Sequence, residues 1–534
     1  MALDAMLSRH RRAEQYELLP RTSEDSTSST HSSPPRLSPN KSKLPRWSIR
    51  HFARLPLRNT RSLYTKIYRQ RGLRGKLLRG SYWISVTLLF FTALLIVFTA
   101  LFRPSYSRLP DHYRALQRRC QESNEPGRGN PNNEKVFIAA SLYDPEGTLV
   151  GGHWGRAVLE LVELLGPQNV HLSVYEDDAS PQAKAALDSM KTKLQGKSSL
   201  VSEHLPHEGI PRVTTPSGES KMKRIAFLAE VRNRALRPLQ TNDAIQFDKL
   251  LYINDVMFDP VDAANLLFST NFQSSGRTQY QAACATDFIN AFKFYDRFAL
   301  RDFEGYTSGI PFYPWFTNAG HGSSRSDVLA QKDAVRVRSC WGGMVAFEAR
   351  WFQTSIVGGK GNVSLSETDD TGFNILPLRF RHEQDPFWEA SECCLIHADL
   401  TYLSYGSDAV NASGIFMNPY VRVAYDESTL RWLPYTRRIE RLYSWVHTIL
   451  NHLVGMPQYN PRRLESPGEK VVEQVWHYDE AAGHGKGRPE GSYSKVERTA
   501  APGRFCGIRR LMVMKSNPPK GQKNWESIPL PLEP

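Results

Sequence analysis

Phe247-Asp248-Lys249-Leu250-Leu251-Tyr252-Ile253-Asn254-Asp255-Val256-Met257-Phe258-Asp259-Pro260 is the stretch that decides the fold of this chain. Its apolar, β-favouring residues run on without alternation and stop on an Asn-Asp pair. That is the pattern of a strand covered on both faces that carries a polar group to the edge of a parallel sheet. Ligands of open α/β sheets bind at that edge. Asp255 has two readings there: it caps a turn, or it holds a divalent cation, because hard cations take carboxylate oxygens. Asp259 reads as the turn into the next helix.

Working outward, the N-terminal side has a βαβα pattern. Lys135 to Tyr143 is a continuous apolar strand that stops in a polar loop at Asp144, and His153 to Leu165 has apolar residues at helical spacing, ended by Gly166-Pro167. Val170 to Tyr175 is a second strand, running into Glu176-Asp177-Asp178, and Pro181 to Lys193 is a second helix. This order predicts an α/β fold with a mostly parallel sheet and active-site loops at the strand ends. Arg224 to Arg237 reads as a helix with Ile225, Leu228, Val231 and Leu236 on its apolar side. Arg232 and Arg234 lie on the other side, either as a solvated face or as guanidinium groups for a diphosphate.

On the C-terminal side, Tyr280 to Phe288 is another apolar strand ending on an acid. Asp287 there caps a loop or holds a metal, a ribose or a sugar hydroxyl. Phe292 to Trp315 is dense in aromatic rings, which suits a core or a sugar site. In Val337 to Glu348, Gly342 and Gly343 follow Trp341 and permit a tight bend or a close backbone approach to a ligand. The segment from Trp388 to Glu392 reads as helical, which puts Glu389 and Glu392 on one face. Cys393 to Ile396 reads as a short buried strand that ends in His397 and Asp399. His397 either completes a metal site or is a hydrogen-bonded structural residue. From Leu430 a helix and an irregular tail close the chain.

The chain has 534 residues, 40% of them hydrophobic, and a formal net charge of +14. Much of the excess is local. Arg69, Arg71, Arg74, Lys76 and Arg79 run up to Tyr82–Phe102, an uncharged apolar run long enough to cross a bilayer, and only Arg103 and Arg108 follow closely. This is the flank of a membrane anchor with a cytosolic N-terminus, and nucleic-acid binding is excluded as the meaning of the charge. All six cysteines (Cys120, Cys284, Cys340, Cys393, Cys394 and Cys506) follow the run, as an oxidising lumen permits, and none form a C-x-x-C zinc pattern. Disulfides and buried free thiols both remain open. Sequons begin at Asn362 and Asn411. The expected organisation is a disordered basic tail (1–80), a transmembrane signal anchor (81–103), a stem (104–134), a catalytic domain (135–461) and an irregular extension (462–534).

The segments VFIAASLYDPEG, VYEDDAS, AEVRNRAL, LLYINDVMFDP, CATDF, RSCWGGMVAFEA and EASECCLIHADL resemble the fungal α-1,3-mannosyltransferases of glycosyltransferase family 69, which include cryptococcal capsule-associated proteins. The resemblance covers roughly Lys135 to Pro461. It implies a single-pass type II membrane protein of the Golgi or another secretory membrane, with a GT-A-like catalytic domain in the lumen. The donor would be GDP-mannose, assisted by Mn2+ or Mg2+, and the acceptor a glycan or polysaccharide. Carried over by position, Asp255 and Asn254 stand at the metal motif with His397 as a late ligand. Arg232 and Asn233 would contact the nucleotide, with Asp177 beside them. Trp341, Gly342 and Gly343 would border the acceptor, and Glu392, Glu389 or Asp287 would be the catalytic carboxylate. The chain departs from the Asp-x-Asp motif of related enzymes by having Asn-Asp-Val, which leaves one strong carboxylate. A competing reading is a non-catalytic membrane protein that supports polysaccharide assembly or export.

Overall fold

The structure is a computed structural model that describes residues 73–194, 196–241, 245–353, 376–406, 413–478, 491–516 and 523–531. The asparagines of both sequons and most of the expected basic tail lie outside these residues. Two units are described separately. The first is helix α1 (Leu73–Phe102), in which Arg79–Phe102 is long and apolar enough to cross a membrane. The second, from Pro104 onward, is the folded body.

The body begins with α2 (Asp111–Glu122), in the segment expected to be a stem. It is instead part of the packed structure, because Tyr106 and Tyr113 are each 1% exposed and Asn418 donates to the Tyr113 hydroxyl at 2.7 Å. Next come β1 (Val136–Leu142), α3 (His153–Leu165), β2 (Val170–Asp177), α4 (Pro181–Lys193) and β3 (Lys197–Glu203). The three strands pair in parallel in the order β3-β2-β1. Helix α5 (Arg224–Thr241) then carries the chain back, and β4 (Lys249–Ile253) pairs in parallel on the other flank of β1. The winding direction therefore reverses between β1 and β4. Such a switch point opens a crevice at the carboxyl ends of the strands.

Helix α6 (Pro260–Phe268) leads to β5 (Ala282–Phe288), and β6 (Arg301–Asp302), β7 (Val335–Ser339), β8 (Met344–Glu348), α7 (Glu392–Tyr405) and β9 (Ile415–Ala424) complete the framework. The nine-stranded order is β3-β2-β1-β4-β8-β5-β9-β7-β6. Strand β8 lies antiparallel between β4 and β5, and β7 is antiparallel to β9 and β6. The expected α/β class with a mostly parallel sheet is present, with β7 and β8 reversed. Residues of β1 and β4 alternate between two cores: Phe137, Ala139, Leu250 and Tyr252 face the α5 side, and Ile138, Ala140, Leu251 and Ile253 face the α3 and α6 side. Burial on both faces is why these strands read as unbroken apolar runs.

Three expectations are corrected. Glu389 lies in a two-residue strand (Glu389–Ala390) paired with Gly507–Ile508, outside any helix. Ser391 is the N-cap of α7, its hydroxyl accepting from Cys393 N, so Cys393 to Ile396 is helix and His397 is a mid-helix residue. Every side chain from Glu392 to Tyr402 is buried, so the segment has no polar face to reveal a helical period. Finally, the extension is not simply irregular. Lys470–Tyr478 pairs with Gly491–Thr499, Leu511–Met514 pairs with Trp525–Ile528, and a Cys394–Cys506 disulfide fastens the segment to α7. A second disulfide joins Cys284 to Cys340, while Cys120 and Cys393 are buried free thiols.

Candidate active site

Strand β4 ends at Ile253, and the next two residues have opposite surroundings. Asn254 is 2% exposed and held on three sides. Its N–H donates to Gly343 O at 2.9 Å, its carbonyl accepts from Trp154 Nε1 at 2.8 Å, and its Oδ1 accepts from Arg232 Nη1 at 3.1 Å. Asp255 is only half-buried and is the first side chain beyond the strand to reach solvent.

The arginine that holds Asn254 is itself enclosed. Arg232 Nε donates to Glu392 Oε1 at 2.9 Å, and the guanidinium stacks 4.6 Å from the Trp341 ring. Both members of the ion pair are almost fully buried, at 4% and 1% side-chain exposure. Glu392 is the first residue of α7, and its Oε2 has no hydrogen-bond partner. Asn233 uses both ends of its amide on Phe380, donating to its carbonyl and accepting from its N–H at 2.8 Å each. Arg232 thus ties the strand end to the start of α7, and Asn233 ties the same helix to the segment at Phe380.

Trp341 is 1% exposed, so its ring forms the floor under Arg232. The turn that follows it presses against the sheet. A Cβ on Gly342 (φ 56°) would lie 2.0 Å from Ala285 O, and one on Gly343 (φ 69°) 2.7 Å from Val256 Cγ1. Only glycine fits this approach.

Further acids gather beside Asp255. Asp287, at the end of β5, is fully buried; its Oδ1 accepts from Asp296 N at 3.1 Å and its Oδ2 from the Tyr425 hydroxyl at 2.9 Å. Burial, with the charge of Asp296, pushes its carboxyl pKa upward. Asp296 is half-buried and accepts from Ala299 N at 3.1 Å. Burial raises its pKa too, Glu392 adds to the rise, and Arg232 and the Gly342 N–H oppose it. The Tyr425 phenol, half-buried, lies within the fields of Asp287, Asp255 and Asp296 together. Two buried acids (Asp287, Glu392) thus back two that retain solvent contact (Asp255, Asp296).

The remaining candidates lie apart. Glu389 is fully buried 3.6 Å from Lys223 Nζ, and burial pushes its pKa up to about 7. His397 Nδ1–H donates to Cys393 O at 2.7 Å, its Nε2 faces the Cys284 sulfur, and burial pulls its pKa down to about 4. Cys284 and the nearby Cys340 are joined in a disulfide and are not thiolate ligands. Asp177 ends β2 and accepts from Leu205 N at 2.8 Å. Its carboxylate lies near those of Asp178 and the His204 ring, a second group of atoms spaced for a cation.

The sequence did not single out Asp296, Tyr425, Asp144 or Glu176. Asp144 and Glu176 stand at the ends of β1 and β2, fully buried, with Asp144 N donating to Glu176 Oε1 at 3.0 Å. Asp144 Oδ1 and Glu176 Oε2 are buried without partners, and burial pushes Glu176 up to about 7. The signal for Glu176 was present in the Glu-Asp-Asp run, but a strand buried on both faces does not show which acid points inward.

A divalent metal suits the open part of this site. Asp255 offers carboxylate oxygens at a solvent-reaching strand end, and hard cations take such oxygens; it shares the Tyr425 phenol's surroundings with Asp296. Asn254 is 2% exposed and its Oδ1 already accepts from Arg232.

No curated protein matches this chain significantly. A mannosyltransferase PcManGT from Pyrobaculum calidifontis, solved with GDP-Man and Mn2+, aligns at TM-score 0.30 and 10% identity over 64% of this chain and 71% of that one. S. aureus TarS 1-349 with UDP-GlcNAc aligns at TM-score 0.26 and 11% identity over 55% and 59%. At these TM-scores neither likeness bears on the chemistry. Residues 135–399 match the family described as Cryptococcal mannosyltransferase 1, so this segment belongs to that mannosyltransferase family and the chain is a glycosyltransferase.

Proposed function

We propose that the chain transfers mannose from GDP-mannose to a mannoside or polysaccharide acceptor, forming an α-1,3 linkage with the help of a divalent cation. The observation that carries this reading is the solvent-reaching Asp255 at the β1/β4 switch point, backed by Asp287, Asp296 and the Arg232–Glu392 pair. Asp255 holds Mn2+ or Mg2+, which, when bound, neutralises charge on the departing diphosphate. Arg232 keeps Asn254 and Glu392 in register, so that Asp255 is presented at a fixed place. Asp296, which keeps solvent contact, accepts the hydrogen bond of the acceptor hydroxyl. Asp177, with Asp178 and His204 beside it, faces the nucleoside end of the donor.

The body works in the lumen of the Golgi or another secretory compartment, anchored by α1. Two disulfides in the body support an oxidising compartment. The test is a transfer assay on the full chain with GDP-mannose, Mn2+ and α-mannosides, comparing wild type with Asp255→Asn. Metal-dependent GDP release that disappears in the variant supports the proposal. Equal release by both proteins, or none with any mannoside, sinks it.

A further inference from the structure

The helix Tyr443–Leu453 is turned inside out for a soluble protein. Its buried residues are polar: His447 receives Arg325 Nη1 at 3.0 Å, and Asn451 Oδ1 accepts from Ile310 N at 2.8 Å. Its outward face is apolar, formed by Trp445, Val446, Ile449, Leu450, Leu453 and the following Val454, with Trp445 82% and Leu453 71% exposed. No Asp, Glu, Lys or Arg occurs from Tyr443 to Gly455. Trp432 and Tyr435, on the preceding helix Glu427–Thr436, are also exposed, and Arg431 and Arg438 stand exposed near them. A helix with an apolar outward face, flanked by Trp, Tyr and Arg, has the composition of a segment lying in a bilayer interface.

The chain itself says which surface covers this face. Tyr106 is a buried residue of the body, and Arg437 Nη1 donates to its carbonyl at 3.0 Å, six residues before Tyr443. Tyr106 is also only four residues after Phe102, the end of α1. Whatever the orientation of α1, four residues reach at most ~14 Å. If α1 crosses a membrane, the point where the body is tethered is beside the helix pair that bears the exposed rings.

We propose that the Trp445–Val454 face is a membrane-docking surface that seats the body on the bilayer its own anchor crosses. The occupant is the headgroup and upper acyl region of the membrane, with Arg431 and Arg438 meeting lipid phosphates. This proposal rests on α1 being a membrane span and is independent of the donor sugar. Docking fixes the body relative to the membrane plane.

The test uses the full chain in phosphatidylcholine–phosphatidylserine nanodiscs. Nitroxide is attached to Leu453→Cys, in parallel to Trp445→Cys, and for reference to Lys495→Cys on the exposed hairpin. Collisions with a water-soluble nickel complex should be about 10-fold rarer at 453 and 445 than at 495, with oxygen collisions more frequent. Adding Ile449→Glu to the Leu453→Cys protein should return the label to water. Equal nickel accessibility at all three positions overturns the docking proposal while leaving the anchor intact. Dipolar broadening between labels would assign the face to a second copy and overturn it too. A chain that does not elute with nanodiscs overturns the anchor and the docking together.

Discussion

Two groups of acids stand along one edge of the sheet, and they differ in what lies behind them. At the ends of β1 and β2, Asp144 and Glu176 are sealed and share a hydrogen bond, while Asp177 and Asp178 look outward beside His204. At the ends of β4 and β5, Asp287 and Glu392 are sealed, but behind the open Asp255 an ion pair, an indole and a glycine turn lock the strand end. Among the described residues, only the first has its ligand atoms gathered within reach of one cation. Only the second has its open carboxylate braced by several elements at once, and a site that must hold charge in a fixed place needs that rigidity.

The comparison can be broken at the brace. Arg232→Ala leaves the Glu392 carboxylate buried without its cation and should cost about 3–5 kcal/mol of stability, read as a lowered melting temperature in detergent. A variant that melts like wild type would show that the pair does not hold the strand end. Asp255→Asn probes the open residue instead. Transfer should fall at least ~100-fold with the melting temperature unchanged, since only an interaction with the reacting complex is lost.

The sealed pair at β1 and β2 has its own signature, in pH. Glu176 is raised from 4.5 to about 7 by burial, so the folded state keeps a proton that the unfolded chain releases. Its favourable contribution is complete below pH 4.5 and is lost as pH rises toward 7. Relative to Glu176→Gln, the wild type should lose about 2 kcal/mol over that window, measured by urea unfolding at several pH values. A constant difference across the window would contradict the burial argument. The smallest effect is expected at Asp177→Asn: KM for the donor about 3-fold higher with kcat unchanged, as for a contact made equally in ground and transition states.

Much of this arrangement could be read from residues. The Phe247 to Asp255 run, the βαβα opening and the Trp-Gly-Gly turn each carried a period or a residue type that only one local structure uses. Strand β9 was passed over because Asn418 and Pro419 interrupt it, and its pairing with β5 shifts register there. With it went Tyr425, the partner of Asp287. The Glu389 to His397 segment was misread because total burial removes the polar face that marks a helix. Arg232 and Asn233 were expected to contact the nucleotide, with Arg232 on the open side of its helix; Arg232 is instead buried, and the partners of the two, Glu392 and Phe380, lie well over a hundred residues away, where no local pattern could show them.

The most direct test is a titration of Mn2+ and GDP into the full chain, followed by the Mn2+ resonance, for wild type, Asp255→Asn and Asp177→Asn. If Asp255 holds the donor's cation, GDP-dependent Mn2+ binding is lost in Asp255→Asn and retained in Asp177→Asn. Binding retained in Asp255→Asn and lost in Asp177→Asn would move the metal to the β2 and β3 ends and contradict the assignment.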